Sequence, residues 1–218
     1  MTLSQYRLVI GDKALSSWSL RPWLVMKRAG IPFAEVNVKL RQPGSKAQIV
    51  AHSAAGKVPA LLAGDLVVWD SLAIIEYLAD CHPGLGIWPA DPAARAIARA
   101  VSAEMHSGFQ ALREHCAMDL FARTPLVSVP EAVELNIRRI VESWQDCRRR
   151  FGSSGPYLFS EFSAADAMYA PVASRFRTYV PDLARFGDDG TCAAYVETLF
   201  AMPEMAEWAD GARAQIAA

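Results

Sequence analysis

Three serines at a helix start, an X-Pro step and an Asp-Ser pair are the residues of this 218-residue chain best placed to do chemistry. "LSSWSLRPW" sets Ser16, Ser17 and Ser19 at the opening of a predicted helix. There, hydroxyls, unpaired backbone N–H groups and the helix dipole together favour an anion such as a thiolate. Serines in such places also serve as plain caps, so both roles stay open. Further on, Val58-Pro59 in "GKVPALL" leads into a strand, and Asp70-Ser71 in "VVWDSLAIIEYL" opens an apolar helix. A proline at the start of a strand gives no donor, and X-Pro is where a cis bond is tolerated. A polar helix start accommodates a carboxylate. Shelf and socket together describe a site for a small peptide-like thiol.

Such groups act together only if the fold brings them to one place. Up to about residue 82 the pattern alternates. Strands are expected at Tyr6 to Ile10, Phe33 to Val38, Ala60 to Ala63 and Leu66 to Trp69, with a turn at Gly64-Asp65. Helices are expected at Trp18 to Arg28, Gly44 to His52 and Ser71 to Asp80. The order β-α-β-α-β-β-α, with an X-Pro leading the third strand, is that of a thioredoxin-like module. In that module the first helix start and the X-Pro loop face one cleft. A disulfide oxidoreductase of this fold needs a cysteine at the helix start, and here serines stand there.

Residues 83–92 lie in a Pro- and Gly-rich stretch and read as a linker, and 93–218 read as all-helical. A long helix is expected from Ala93 to Phe121, a second from Glu131 to Arg150, and another opened by Ser163 and Asp166 as a capping box. A final helix is expected from Ala193 to Phe200. The expected architecture is α/β plus all-α, with a thioredoxin-like domain at 1–82 and a helical bundle at 93–218.

Composition narrows the function classes. Lys and Arg number 22 against 23 Asp and Glu, a formal net charge of -1, which argues against nucleic acid. The Arg148 to Arg150 run ends a predicted helix and fits its dipole. No apolar run approaches the ~18 residues of a membrane span, and the start lacks a leader pattern. Four widely spaced cysteines, with no C-x-x-C pair, point away from a disulfide framework or a metal cluster. A reducing, cytoplasmic setting is expected.

"SSWSLRPW", "VPALL", "DSLAIIEYL", the Pro-rich linker and "FSAADAMYAP" together resemble a cytosolic glutathione transferase over essentially the whole chain. The nearest class by pattern is zeta-like, through Ser16, Ser17 and Arg21 and through "GFQAL" with Gln110. The chain departs from that class at Trp18, where cysteine is usual, and at Trp23, where a second arginine is usual. Asp70 replaces the Glu or Gln more common in the family.

The resemblance implies that Val58, before Pro59, pairs its backbone with the cysteinyl backbone of glutathione. Asp70 and Ser71 would hold the γ-glutamyl end, while Gln42 and Lys57 would reach the glycyl carboxylate and Gln110 would lie nearby. Ser16, or next to it Ser17, would donate to the sulfur, and Arg21 suits a structural role. The second-substrate pocket would draw on Leu15, Trp18, Met105, His106, Phe109 and Arg113, with Arg175 and Arg177 also pointing inward. The implied protein is a homodimeric detoxifying enzyme with glutathione as co-substrate and no metal. It would transfer the thiol to a small electrophile. The alternatives are a glutathione-dependent cis–trans isomerase of the maleylacetoacetate type and a non-catalytic glutathione-binding protein.

A free thiol with a pKa of about 8.5 is roughly 3% thiolate at neutral pH. Lowering that pKa by about two units raises the fraction to roughly 75%. Reduced basicity takes back much of the gain, leaving about 2–4-fold. Holding thiolate and electrophile together must therefore supply most of the rate.

Overall fold

Residues 6–217 are described in the computed structural model; the first five residues, part of the start in which no leader pattern is read, lie outside them. Strand β1 (Tyr6–Ile10) forms because Leu8, Val9 and Ile10 alternate between two apolar faces, and all three are fully buried. It pairs in parallel with β2 (Phe33–Asn37) and antiparallel with β3 (Ala60–Ala63), which pairs antiparallel with β4 (Leu66–Trp69). The sheet order is β2-β1-β3-β4. Gly64 turns the β3-β4 hairpin at φ 62°, a left-handed conformation that glycine adopts without strain.

Helices α1 (Ser17–Arg28) and α3 (Ser71–Cys81) cover the sheet face that carries Leu8, Ile10 and Leu61. Helix α2 (Ser45–His52) covers the other face, where Ile49 packs with Val9, Val38, Ala60 and Leu62. The parallel β1-α1-β2 crossover therefore fixes the start of α1 at one end of the sheet. The Val58-Pro59 peptide bond, immediately before β3, is cis.

The helical domain holds α4 (Pro92–Ser107), α5 (Gln110–His115), α6 (Glu131–Phe151), α7 (Ala164–Tyr179), α8 (Thr191–Phe200) and α9 (Pro203–Ala217). Its axis is α7, buried along nearly its whole length and packed against both α1 and α4. The Ser163–Asp166 capping box forms as expected. Asp166 is fully buried, and it accepts from Ser163 N at 2.8 Å, Leu158 N at 3.1 Å and Tyr195 Oη at 2.8 Å. Four bonds, including one from the Ser163 hydroxyl, satisfy a carboxyl group whose pKa burial nonetheless raises.

Two expectations fail in the helical domain. The long helix predicted over Ala93 to Phe121 stops at Ser107. Gly108 leaves the helix in an extended conformation, and Phe109 takes a left-handed one (φ 56°) that keeps its side chain in the core. Residues 116–130 are then irregular, turned by Asp119, which caps Phe121 N and Ala122 N. The predicted final helix is followed by another, α9, which reaches back to the first domain. Trp208 Nε1 donates to Lys13 O at 2.7 Å, and Lys13 N donates to Gln215 Oε1 at 2.8 Å. Lys13 itself is buried, paired with Glu35 at 2.8 Å and lodged between the rings of Trp23 and Trp208.

Candidate active site

Residues 11–16 lead from β1 into α1 and are tied on several sides. Leu40 N donates to Asp12 Oδ2 at 2.7 Å, Leu120 N donates to Ala14 O at 3.0 Å, and α9 holds Lys13. Asp12 O also accepts from Ser16 N, closing the turn that starts the helix. A serine hydroxyl presented by this loop is therefore held from several elements at once.

The two candidate serines differ in what they already do. Ser16 caps α1: its Oγ accepts from Ser19 N at 3.4 Å, and its hydroxyl donates to Ser19 Oγ at 2.7 Å. Ser19 Oγ in turn accepts from Gly11 N at 3.1 Å. Ser17 Oγ instead accepts from Arg175 Nη2 at 3.3 Å, leaving its own proton uncommitted. Both side chains are buried.

Behind Ser17 stand three arginines that form no close ion pair among the described residues, although the charge of Asp70 acts on Arg21 and that of Glu114 on Arg113. Arg175, on α7, is 3% exposed and donates to Cys116 O at 2.9 Å and Pro171 O at 3.1 Å. Arg21, one turn beyond Ser17, is fully buried and stacks on the Trp18 ring at 4.2 Å. None of its three guanidinium nitrogens has a hydrogen-bond partner among the described residues. Arg113, on α5, donates to Met105 O at 3.3 Å and lies 5.7 Å from the Trp18 ring. Burial, then the charges of Arg175 and Arg113, pushes the Arg21 pKa down to about 9. Burial, then Arg113, pulls Arg175 down to about 10. Both remain charged at neutral pH.

Across from α1 lies the Asp-Ser socket. Asp70 caps α3 with Oδ1, accepting from Leu72 N at 2.9 Å and Ala73 N at 3.2 Å, while Oδ2 faces His106 Nε2 at 3.0 Å. Asp70 holds φ 78°, an uncommon conformation for a residue with a side chain. Ser71 is buried, and its hydroxyl has no hydrogen-bond partner among the described residues. A cavity of about 590 Å³ is lined by Trp18, Ala55, Lys57, Val58, Pro59, Trp69, Asp70, Ser71 and His106. It joins the X-Pro shelf, the Asp-Ser socket and Trp18, the second residue of α1, in one concave surface; Ser16 and Ser17 are not among its lining residues and reach it only as the neighbours of Trp18.

The remaining candidates are distributed unevenly. Gln42 is exposed, in a turn whose amide bonds to Ser45, and lies outside this cavity. Gln110 is also exposed and donates to Glu114 at 2.6 Å. Met105 and Phe109 are core residues, and Leu15 is 36% exposed away from the cavity lining. Arg177 packs on Phe200 at 4.1 Å and lies 3.9 Å from Glu197, so it does not turn toward the cleft. The Asp70–His106 contact and the Arg175–Ser17 bond each join residues far apart in sequence, and no local pattern marks either one.

The glutathione S-transferase amino-terminal domain family matches residues 15–81, and the carboxy-terminal domain family matches residues 130–214. Maleylacetoacetate isomerase from Rattus norvegicus is 34% identical over 175 residues, covering 78% of this chain and 77% of its own. Glutathione S-transferase Z2 from Arabidopsis thaliana is 26% identical over 171 residues, 75% of this chain and 76% of its own. Probable maleylacetoacetate isomerase from Caenorhabditis elegans is 38% identical over 96 residues, 44% of each chain. Among solved structures, a Burkholderia glutathione transferase homolog with bound glutathione superposes with a TM-score of 0.70 at 23% identity, over 95% of this chain and 97% of its own. Glutathione transferase F2 from Populus trichocarpa gives 0.69 at 15% identity, over 96% and 99%. With this fold, these two domains and this extent of similarity, the chain belongs to the glutathione S-transferase family, on its zeta-like side.

Proposed function

We propose that Ser17, rather than Ser16, donates the hydrogen bond that favours the thiolate of glutathione, and that the thiolate then attacks a small electrophile. The enzyme is a glutathione transferase with glutathione as co-substrate. The observation that carries the site assignment is the 590 Å³ cavity in which Val58, Asp70 and Ser71 face Trp18 and His106. The Val58 backbone pairs with the cysteinyl backbone of the ligand as a one-residue strand addition. Ser71 offers an unpartnered hydroxyl and a helix N-terminus to the γ-glutamyl carboxylate, and Asp70 takes the ammonium. Lys57, exposed at the cavity edge, suits the glycyl carboxylate.

Isothermal calorimetry with glutathione, followed by a panel of electrophiles and hydroperoxides, tests this reading. Binding that weakens at least tenfold in Ser71→Ala, with turnover of one or more electrophiles, supports it. No binding to the unaltered protein overturns it, and binding without turnover favours a non-catalytic glutathione-binding protein.

The second reading is a cis–trans isomerase of maleyl-type diacids that forms the glutathione adduct transiently. The cluster of Arg21, Arg113 and Arg175 supports it, because three neighbouring cations, only two of them acted on by a carboxylate (Asp70 on Arg21, Glu114 on Arg113), favour an anionic substrate. Turnover of a maleyl diacid decides for it; none decides against it. A homodimer belongs to the same proposal and is checked by light scattering. So does a reducing, cytoplasmic location, which fits four free cysteines and is checked by fractionation.

A further inference from the structure

We propose that Arg175 is a positioning residue for the thiolate: by donating to Ser17 Oγ, it turns the Ser17 proton toward the sulfur. This inference rests on the reading of Ser17 as the sulfur's donor. A serine hydroxyl has one proton and two lone pairs. In a helix its proton can also turn back to a carbonyl in the preceding turn. Arg175 Nη2, 3.3 Å from Ser17 Oγ, occupies a lone pair with a donor that cannot accept in return. The proton must then point away from the guanidinium.

The clamp is rigid because its other contacts are backbone. Nε on Cys116 O and Nη1 on Pro171 O fix the plane of the guanidinium, and the side chain is 3% exposed. No carboxylate neutralises it, so its field acts on the serine. A cation donating to a hydroxyl also makes that hydroxyl a better donor, since chains of hydrogen bonds polarise one another. The groups that share this environment are Arg21 on α1, Arg113 on α5, the Cys116 thiol and the Tyr179 phenol. Burial pushes the Cys116 thiol up to about 11, so it is neutral and does not cancel the cation. Arg21 and Arg113 are present in every comparison below, so their contribution is constant.

The test is a double-mutant cycle on the pKa of bound glutathione, followed by the ultraviolet absorbance of the thiolate and by the pH profile of kcat/KM. Arg175→Gln, which keeps an amide but removes the charge, should raise that pKa by about one unit. Arg175→Lys should restore most of the shift. In a Ser17→Ala background, Arg175→Gln should add nothing, because the residue through which Arg175 acts is gone. An equal shift in both backgrounds overturns the inference and shows direct action on the thiolate. No shift in either background overturns it as well. If Arg175→Gln does not fold, Arg175→Met, which also removes the charge and the donor, is compared with the unaltered protein in both backgrounds and gives the same decision. Glutathione binding by calorimetry keeps the two claims apart: no binding to the unaltered protein defeats the site assignment, whereas binding with an unmoved pKa defeats only the role of Arg175.

Discussion

His106 Nε2 lies 3.0 Å from Asp70 Oδ2, a contact that joins the end of α4 to the start of α3 across the two domains. The carboxylate oxygen it engages is the one that the cap of α3 leaves open, since Oδ1 already accepts from Leu72 N and Ala73 N. If Asp70 holds the ligand ammonium as proposed, His106 and glutathione compete for that oxygen. Burial lowers the His106 pKa most, Asp70 opposes this, and Arg21 and Arg113 add to the lowering.

A protonated His106 competes better than a neutral one, so glutathione affinity should fall as the solution is acidified below the usual histidine range. His106→Ala should flatten that dependence between about pH 5 and pH 8. Calorimetry across the range checks it, and an unchanged pH profile in the variant would rule the competition out. The same shift affects folding: a histidine with a depressed folded pKa contributes fully above about 6.5, and the contribution is lost as pH falls through its folded pKa.

The two serines should separate cleanly. Ser17→Ala is expected to raise the bound-thiol pKa by about one to two units and to slow turnover at neutral pH. Ser16→Ala removes a helix cap and should cost about 1 kcal/mol of stability with little change in that pKa. Thiol titration and urea unfolding of both variants give the comparison. A larger pKa shift in Ser16→Ala would reverse the assignment.

Arg21 is a buried charge with no hydrogen-bond partner among the described residues, so its removal should help the fold and harm the function. Desolvation is its main cost, offset in part by stacking on Trp18. Arg21→Met should leave the protein about 1 kcal/mol more stable in urea while lowering kcat/KM for anionic electrophiles more than for neutral ones. Equal losses for both substrate types would remove Arg21 from the specificity argument.

Glu35 holds a buried lysine. Burial opposes its ionisation, but hydrogen bonds from Lys13 and Trp23 and the charges of Lys13 and Lys27 outweigh that and keep its pKa below the usual carboxylate range. Glu35→Gln should cost about 2–3 kcal/mol at neutral pH, below the full figure for a buried pair because Glu35 is partly exposed. Because a depressed carboxyl pKa contributes above its unfolded value and is lost as pH falls through its folded one, the difference should shrink in acid. Chemical unfolding at neutral and acidic pH measures both.

The sheet and its helices were legible because period-two and period-3.6 patterns are local, and Gly64-Asp65 and Ser163-Asp166 carry their turn and cap in the sequence itself. Val58-Pro59 and Asp70-Ser71 carry their X-Pro step and polar helix start in the sequence, and the fold lines one cavity with them. The break at Gly108 was not legible, because the run around it keeps helical spacing, and the burial of the left-handed Phe109 that follows the glycine cap depends on tertiary packing. The partners that distinguish Ser16 from Ser17 stand 3 and 158 residues away, and only the first of these is in view of a local pattern. The Gln42 and Gln110 expectations came from likeness alone, and both side chains sit in exposed turns or helix starts outside the cavity.

The bond from Trp208 to Lys13 O closes a span of 195 residues, and it lands on the loop that carries Ser16 and leads into Ser17. During synthesis the sheet and α1 leave the ribosome long before α9 does. The amino-terminal domain can collapse early, but the loop that presents its serines acquires its last restraint only when α9 docks. Val58, Asp70 and Ser71 all come from the first part of the chain, whereas the loop that leads into the serines takes a restraint from the last helix described.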